Sequence, residues 1–258
     1  MALIENKFWG VEDKVAIAIE RLREFEPPEG YYLAFSGGKD SQTIYHLAQM
    51  AGVRFDAHYQ ITTVDPPELV HFIRQHYPDV QTHRPDRTMW QLIPIKRMPP
   101  TRLVRYCCQE LKERGGAGRL VVTGVRWQES SKRKKRRMTE TCYQDGTKTY
   151  LHPVIDWSED EVWEFIKERL KIPYCKLYDE GFKRLGCIGC PMAGTKGMEK
   201  QFALYPRIKA AYLRAFRRML DLRVKDGLST QWETPEQVME WWITNAPKDD
   251  PDQTVLFE

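Results

Sequence analysis

Apolar positions along the chain fall into two patterns, helical stripes and short unbroken runs. In residues 11–25, Val15, Ala18, Ile19 and Leu22 share one helical face, and the Glu26–Gly30 segment ends that helix. Tyr31-Tyr32-Leu33-Ala34-Phe35 then forms a compact apolar run with the length of a buried strand. Helical spacing returns with Ile44, Leu47, Ala48 and Ala51. A second strand is predicted at 55–62, a turn at Val64-Asp65-Pro66-Pro67, and a helix over 68–76. Leu120-Val121-Val122-Thr123-Gly124 reads as another buried strand. Ser158 stands three residues before Glu161, a capping box that opens a helix over 158–169. From Gly197 onward the chain reads as mostly helical, with periodicity over 207–224 and over 235–243, the latter opened by Thr234-Pro235. The stretch 247–254 is expected to be a mobile tail.

Strands alternating with helices predict an α/β fold: a parallel, Rossmann-like sheet with helices on both faces, plus a helical C-terminal extension. The expected division is an N-terminal helix over 1–30, a sheet domain carrying the chemistry over 31–193, and a helical region over 194–258. No internal repeat is present.

Composition narrows the class. With 258 residues, 41% hydrophobic and 29% charged, the chain is expected to fold around a sizeable core. No run of ~18 apolar residues is available for a membrane helix, so no membrane partner is expected. Residues 1–14 carry Glu5, Lys7, Glu12, Asp13 and Lys14 with no apolar leader after them, so the expected compartment is the cytoplasm. A net charge of +4 suits anionic ligands. It is concentrated in Lys132-Arg133-Lys134-Lys135-Arg136-Arg137, which reads either as a solvated loop or as an arm that grips the phosphates of a nucleic acid. Arg207, Lys209, Arg214, Arg217, Arg218 and Arg223 add a basic side to a helix whose Ile208, Leu213, Phe216 and Leu220 can face a core. Trp241-Trp242 fits a core or interface position better than a base-stacking platform. The six histidines show no metal-ligand spacing.

The segment Ser36-Gly37-Gly38-Lys39-Asp40-Ser41 lies between predicted strand and helix. Glycines at 37 and 38 allow a tight turn and close backbone approach to a phosphate. The following helix start directs N–H groups and partial positive charge at the anion. Ser36 and Ser41 add hydroxyls, Lys39 adds a full charge, and Asp40 could hold Mg²⁺ or cap the helix. The Walker A spacing is absent. The hexapeptide resembles the SGGxDS motif of the PP-loop ATP pyrophosphatases, which implies cleavage of ATP between its α and β phosphates.

Cysteine chemistry forms the second constellation. Cys107 and Cys108 are adjacent, and Cys187-Ile188-Gly189-Cys190 is a C-x-x-C whose thiolates can reach one metal centre from one turn. In a strand, adjacent side chains point apart, so Cys107 and Cys108 need a turn or a helix start to serve one centre. Four cysteines fit either zinc or an iron–sulfur cluster.

A distant CC plus CxxC resembles the [4Fe–4S] site of the sulfonucleotide reductases, in the PAPS-reductase-like branch of the PP-loop superfamily. Tyr106–Lys112, His152–Trp157 with Glu161-Val162-Trp163, Leu177–Phe182 and Leu185-Gly186-Cys187 all resemble segments of that family. Thr123-Gly124-Val125-Arg126, with Glu129-Ser130, looks like its nucleotide-facing loop. The likeness covers residues 31–193 in the family's order. It implies Ser36, Gly37, Gly38, Lys39, Asp40, Ser41, Gly124 and Arg126 as nucleotide-binding residues. Lys39, Asp40 and Arg126 would act in catalysis, and Cys107, Cys108, Cys187 and Cys190 would hold the cluster, or zinc as the alternative. Cys142 and Cys175 fall outside the pattern and are expected to be packed thiols.

The family's reductases attack sulfate with a cysteine in a Glu-Cys-Gly-(Leu/Ile)-His segment and carry a degraded glycine loop. Here the loop is intact and no cysteine follows Cys190. The resemblance therefore implies an enzyme that uses Mg²⁺-ATP, releases pyrophosphate and activates a substrate for sulfur insertion. That substrate is expected to be nucleic acid, with sulfur from a donor or partner protein. Two alternatives are a sulfonucleotide reductase that borrows a partner's thiol and a non-catalytic accessory subunit that binds nucleotide and nucleic acid.

Overall fold

The computed structural model describes residues 3–8, 10–142 and 146–245; the expected mobile tail over 247–254 lies outside them. The described chain opens with a hairpin, β1 (Ile4–Lys7) antiparallel to β2 (Gly10–Asp13). α1 (Lys14–Glu24) begins directly afterwards, because the Asp13 carboxylate accepts from the N–H groups of Val15 and Ala16 at 2.9 and 3.4 Å. The predicted start at residue 11 is thus too early. Gly10–Asp13 finds backbone partners in Ile4–Lys7, which helical periodicity does not register.

β3 (Tyr31–Ala34), α2 (Lys39–Ala51), β4 (Phe55–Gln60) and α3 (Pro67–His76) follow close to the predicted places, then β5 (Gln81–His83). Next come α4 (Met89–Lys96), α5 (Tyr106–Leu111), β6 (Leu120–Val122), β7 (Thr139–Thr141) and β8 (Thr149–Leu151). α6 (Glu159–Glu164) carries the predicted capping box at Ser158 and continues as one π-helical turn over Phe165–Arg169. α7 (Gly194–Leu204), α8 (Pro206–Lys225) and α9 (Pro235–Thr244) complete the path. Among the described residues no helix is long and apolar enough to cross a membrane.

The chain forms two compact units from interleaved pieces. The first comprises Met1–Tyr59, Pro67–His83 and Gly115–Leu185. Its sheet has the order β5-β4-β3-β6-β8-β7. β3 runs parallel to β4, with Tyr31 opposite Phe55, and parallel to β6, with Leu33 opposite Val122. β8 is parallel to β6, but β7 is antiparallel to β8. The expected parallel sheet is therefore mixed at one edge, because the short polar connection over 142–148 permits only an antiparallel return. Strand order reverses between β3 and β6. In such sheets the crevice beyond the carboxyl ends of the strands at that point is the natural ligand seat.

The second unit comprises Gln60–Pro66, Arg84–Arg114 and Gly186–Glu258. Its core packs Leu92, Phe202, Tyr212, Phe216, Met219 and Trp242, all buried. Apolar positions at helical spacing along α8 (Tyr212, Ala215, Phe216, Met219, Leu220) supply one side of it.

Candidate functional site

The crevice between β3 and β6 receives two loops. After β3, Gly37 adopts φ +72°, and a Cβ there would lie 2.7–2.8 Å from the side chains of Ile73 and Leu69. Only glycine satisfies both conditions. Ser41, in the first turn of α2, ties the loop together: its hydroxyl donates to the Gly38 carbonyl at 2.9 Å and accepts from the Ser36 N–H at 3.2 Å. The first-turn N–H groups of α2 thus open at the loop with the positive end of the helix.

After β6, Gly124 approaches the same helix start. A Cβ on Gly124 would meet the Asp40 carbonyl oxygen at 2.7 Å. Arg126, 2% exposed, donates through Nε to Asp40 Oδ1 at 2.8 Å and through Nη1 to the Trp157 carbonyl at 3.2 Å. Lys39 pairs with Asp40 at 3.1 Å and with Glu159 at 3.6 Å. Burial alone would raise the Asp40 carboxyl, but Lys39 and Arg126 outweigh it and hold the group below the ordinary carboxylate range. The structure therefore gathers Ser36–Ser41, Gly124 and Arg126, all singled out from sequence, in one place. Lys39 and Arg126 share Asp40 between them.

Three features of this site were not legible beforehand. Glu159 is the second partner of Lys39. The Tyr178 hydroxyl accepts from the Lys39 N–H at 2.8 Å, although the Leu177–Phe182 motif carried no assigned role. His152, fully buried just past β8, shares a 2.7 Å hydrogen bond with the Thr123 hydroxyl and a 3.2 Å one with Glu140. Burial holds its imidazole below the usual histidine range. No spacing rule points to such a pair across neighbouring strands.

The four cysteines singled out from sequence lie in the second unit. Cys107 and Cys108 occupy the first turn of α5, the second of the two arrangements, a turn or a helix start, that would let them serve one centre. Gly189 turns the C-x-x-C at φ +73°, and a Cβ there would meet the Phe202 ring at 2.7 Å. The Cys187 thiol contacts the Thr62 hydroxyl at 3.4 Å. A hydrogen bond from Cys107, with Lys112 and Arg105 nearby, lowers the Cys108 thiol to about 6, while the same bond raises Cys107. Burial pushes Cys187 up to about 11. Cys187, with Cys108, Cys190 and Asp65, raises the Lys112 ammonium above its ordinary range against the effect of burial. Soft sulfur donors beside a cation fit a thiolate-bound centre chemically. Among the described residues, no three His, Cys, Asp or Glu side chains are gathered so as to hold a single metal ion. Cys175 is buried and Cys142 half-buried.

The basic run is not uniform. Arg133–Lys135 forms a 3₁₀ turn, Arg133 pairs with Glu129, and Arg136 pairs with Glu140 at 2.7 Å. Lys134, Lys135 and Arg137 are exposed. On α8, Arg207, Lys209, Arg214, Arg217 and Arg218 are exposed, whereas Arg223 donates to the Arg97 carbonyl at 2.7 Å. Trp242 is a core residue whose Nε1 donates to the Pro100 carbonyl at 2.6 Å, and Trp241 packs edge-on to Trp232.

Known proteins bear on this geometry. Residues 30–193 match the family described as the phosphoadenosine phosphosulfate reductase domain. An uncharacterised protein of Methanocaldococcus jannaschii is 25% identical over 229 residues, 84% of this chain and 54% of its own length. An adenosine 5'-phosphosulfate reductase of Allochromatium vinosum is 35% identical over 96 residues, 35% of this chain and 37% of its own length. This chain thus spans little more than half of the one relative and less of the other. Among solved structures, the phosphoadenylyl-sulfate reductase from Candida auris, in a phosphate complex, aligns with a TM-score of 0.47 at 18% identity. That alignment covers 66% of this chain and 87% of the other.

Proposed function

This chain belongs to the phosphoadenosine phosphosulfate reductase domain family, and on that premise we propose that it binds ATP at the Ser36–Ser41 loop and cleaves it to AMP and pyrophosphate. The observation that carries this reading is the meeting of two loops at one helix start, Gly124 against the Asp40 carbonyl and Arg126 on its carboxylate. Gly37, Gly38 and the first-turn N–H groups of α2 after that of Lys39, which goes to Tyr178, cradle the triphosphate, and the Lys39 ammonium adds a charge within reach of it. Asp40 is the group here that would hold Mg²⁺, which supplies charge neutralisation on the phosphates when bound. Arg126 keeps Asp40 ionised and aimed. An acceptor oxygen attacks the α-phosphorus, the bond to the β-phosphate oxygen breaks, and pyrophosphate leaves with the AMP now on the acceptor. A sulfur nucleophile from a donor or partner protein then displaces AMP.

Nucleic acid is the acceptor class that the exposed cations Lys134, Lys135 and Arg137 favour. Cys107, Cys108, Cys187 and Cys190 would hold a [4Fe–4S] cluster, which supplies electron or sulfur chemistry when bound. Support comes from four thiols in one unit, with Lys112 and Arg105 placed to balance thiolate charge.

The test is anaerobic purification with iron and zinc analysis, then incubation with Mg²⁺-ATP with and without DNA or RNA, scoring AMP and pyrophosphate. AMP release that disappears in Lys39→Ala supports the reading. Full ATP affinity in Lys39→Ala would sink the loop assignment, and zinc in place of iron would replace the cluster. Sulfite release from a sulfonucleotide plus thiol, without AMP from ATP, would favour a reductase instead. The adenosine 5'-phosphosulfate reductase among the relatives gives that second reading its footing.

A further inference from the structure

Tyr178 ends the short turn Lys176–Tyr178, anchored by the fully buried Leu177. Its ring stands edge-on to Trp163, with centroids 4.8 Å apart and planes at 90°, and Tyr174 packs beside both. This aromatic clamp fixes the hydroxyl over the start of α2, where it accepts the Lys39 N–H at 2.8 Å. Accepting that bond occupies a lone pair only; the phenol still has a proton to donate. No acceptor takes that proton among the described residues.

Gly38 leaves the adjoining surface bare. A Cβ there would stand 3.4 Å from the Tyr178 hydroxyl and 3.6 Å from the Ser36 hydroxyl; Ser36 donates to Ser41 Oγ at 3.3 Å, so the phenol is the donor left at the patch on which a phosphate would rest. Burial, with Asp40, Cys175 and Glu159 nearby, holds the phenol well above its ordinary range. At neutral pH the phenol is protonated. Such a group is suited to an anion, since an O–H donated to a charged oxygen is worth more than one donated to a neutral acceptor.

We infer that Tyr178 is a ligand of the pyrophosphate portion of the nucleotide, accepting from the Lys39 N–H and donating its own proton to a phosphate oxygen. The inference rests on the Ser36–Ser41 loop being the ATP site. It gives the site a neutral donor beside Lys39, whose ammonium is partly spent on Asp40 and Glu159. The backbone N–H polarises the phenol on one side while the phosphate draws its proton from the other, and hydrogen bonds in such a chain strengthen one another.

The test is calorimetric titration of the full chain and of Tyr178→Phe with inorganic pyrophosphate, ATP and AMP, alongside the thermal midpoint of each protein. Phenylalanine keeps the ring against Trp163 and removes only the hydroxyl. Affinity for pyrophosphate and ATP should fall roughly 10- to 100-fold, with AMP binding and the midpoint little changed. Unaltered pyrophosphate affinity would overturn the inference, as would tighter binding, which would mean that the hydroxyl only fills an empty seat. Equal loss for AMP and pyrophosphate would also overturn it, since general disruption would then explain both. Wild-type protein that binds neither ATP nor pyrophosphate would bring down the loop reading itself, and this inference with it.

Discussion

Arg126 Nε donates to Asp40 Oδ1 at 2.8 Å, joining residues 86 positions apart and fastening the loop after β6 to the first turn of α2. Both groups are largely withdrawn from water, the side chains being 3% and 25% exposed. Breaking the pair leaves Asp40 to Lys39 alone. Arg126→Gln should therefore lower the unfolding free energy by about 1–3 kcal/mol and weaken ATP binding with it. Urea denaturation measures the first effect, and a variant as stable as the parent would show that the bridge is incidental.

Gly124→Ala places a methyl group 2.7 Å from the Asp40 carbonyl, closer than packed atoms tolerate. The helix start or the loop must yield, at a cost of about 1–3 kcal/mol. Gly186→Ala, with open space around it, is the control and should be within about 0.5 kcal/mol of the parent. Equal thermal midpoints for the two variants would contradict this account.

Arg21 grips Asp156 with both nitrogens, at 2.8 and 2.9 Å. Burial by itself would raise the Asp156 carboxyl, but the Arg21 guanidinium reverses the direction and leaves it lowered. A carboxyl lowered in the folded state stabilises above its unfolded pKa and stops doing so as pH falls through the folded value. Asp156→Asn should thus cost about 1–2 kcal/mol at neutral pH, and the difference should close in acid. Denaturation curves from pH 7 down to the aspartate range decide it; a gap independent of pH would refute the linkage.

Cysteine substitutions should separate ligands from bystanders. Anaerobically prepared Cys187→Ser and Cys190→Ser are expected to lose iron and to unfold more readily, because metal binding and folding are coupled. Cys142→Ser and Cys175→Ser should keep full iron, although Cys175, being buried, will show some loss of stability. Iron and acid-labile sulfide assays provide the readout. Full iron in either C-x-x-C variant would dismantle the ligand set.

Local rules made the Ser36–Ser41 loop legible: glycine conformation, a strand before it and a helix after it are written in consecutive residues. For Cys107 and Cys108 adjacency left a turn or a helix start open, and α5 supplies the helix start. Contacts across the fold were not legible. Nothing near residue 126 announces Asp40, and nothing near 178 announces the Lys39 N–H, 139 positions away. α4 escaped because Pro94 lies inside it and the apolar Ile95 is exposed beside Gln91 and Lys96, which blurs the helical period. β7 and β8, three residues each, are too short to show alternation.

The interleaving of the two units carries a consequence for biosynthesis. Between Cys108 and Cys187 lie 78 residues, and Gly115–Leu185 within that interval belongs to the first unit. At ordinary elongation rates the ribosome needs about 4–16 s to cross the gap. Two neighbouring thiols therefore leave the exit tunnel and wait while β6, β7 and β8 emerge after them. Any metal shared by all four sulfurs can be inserted only after that wait, so the nascent chain depends on a reducing surrounding to keep its first pair unoxidised.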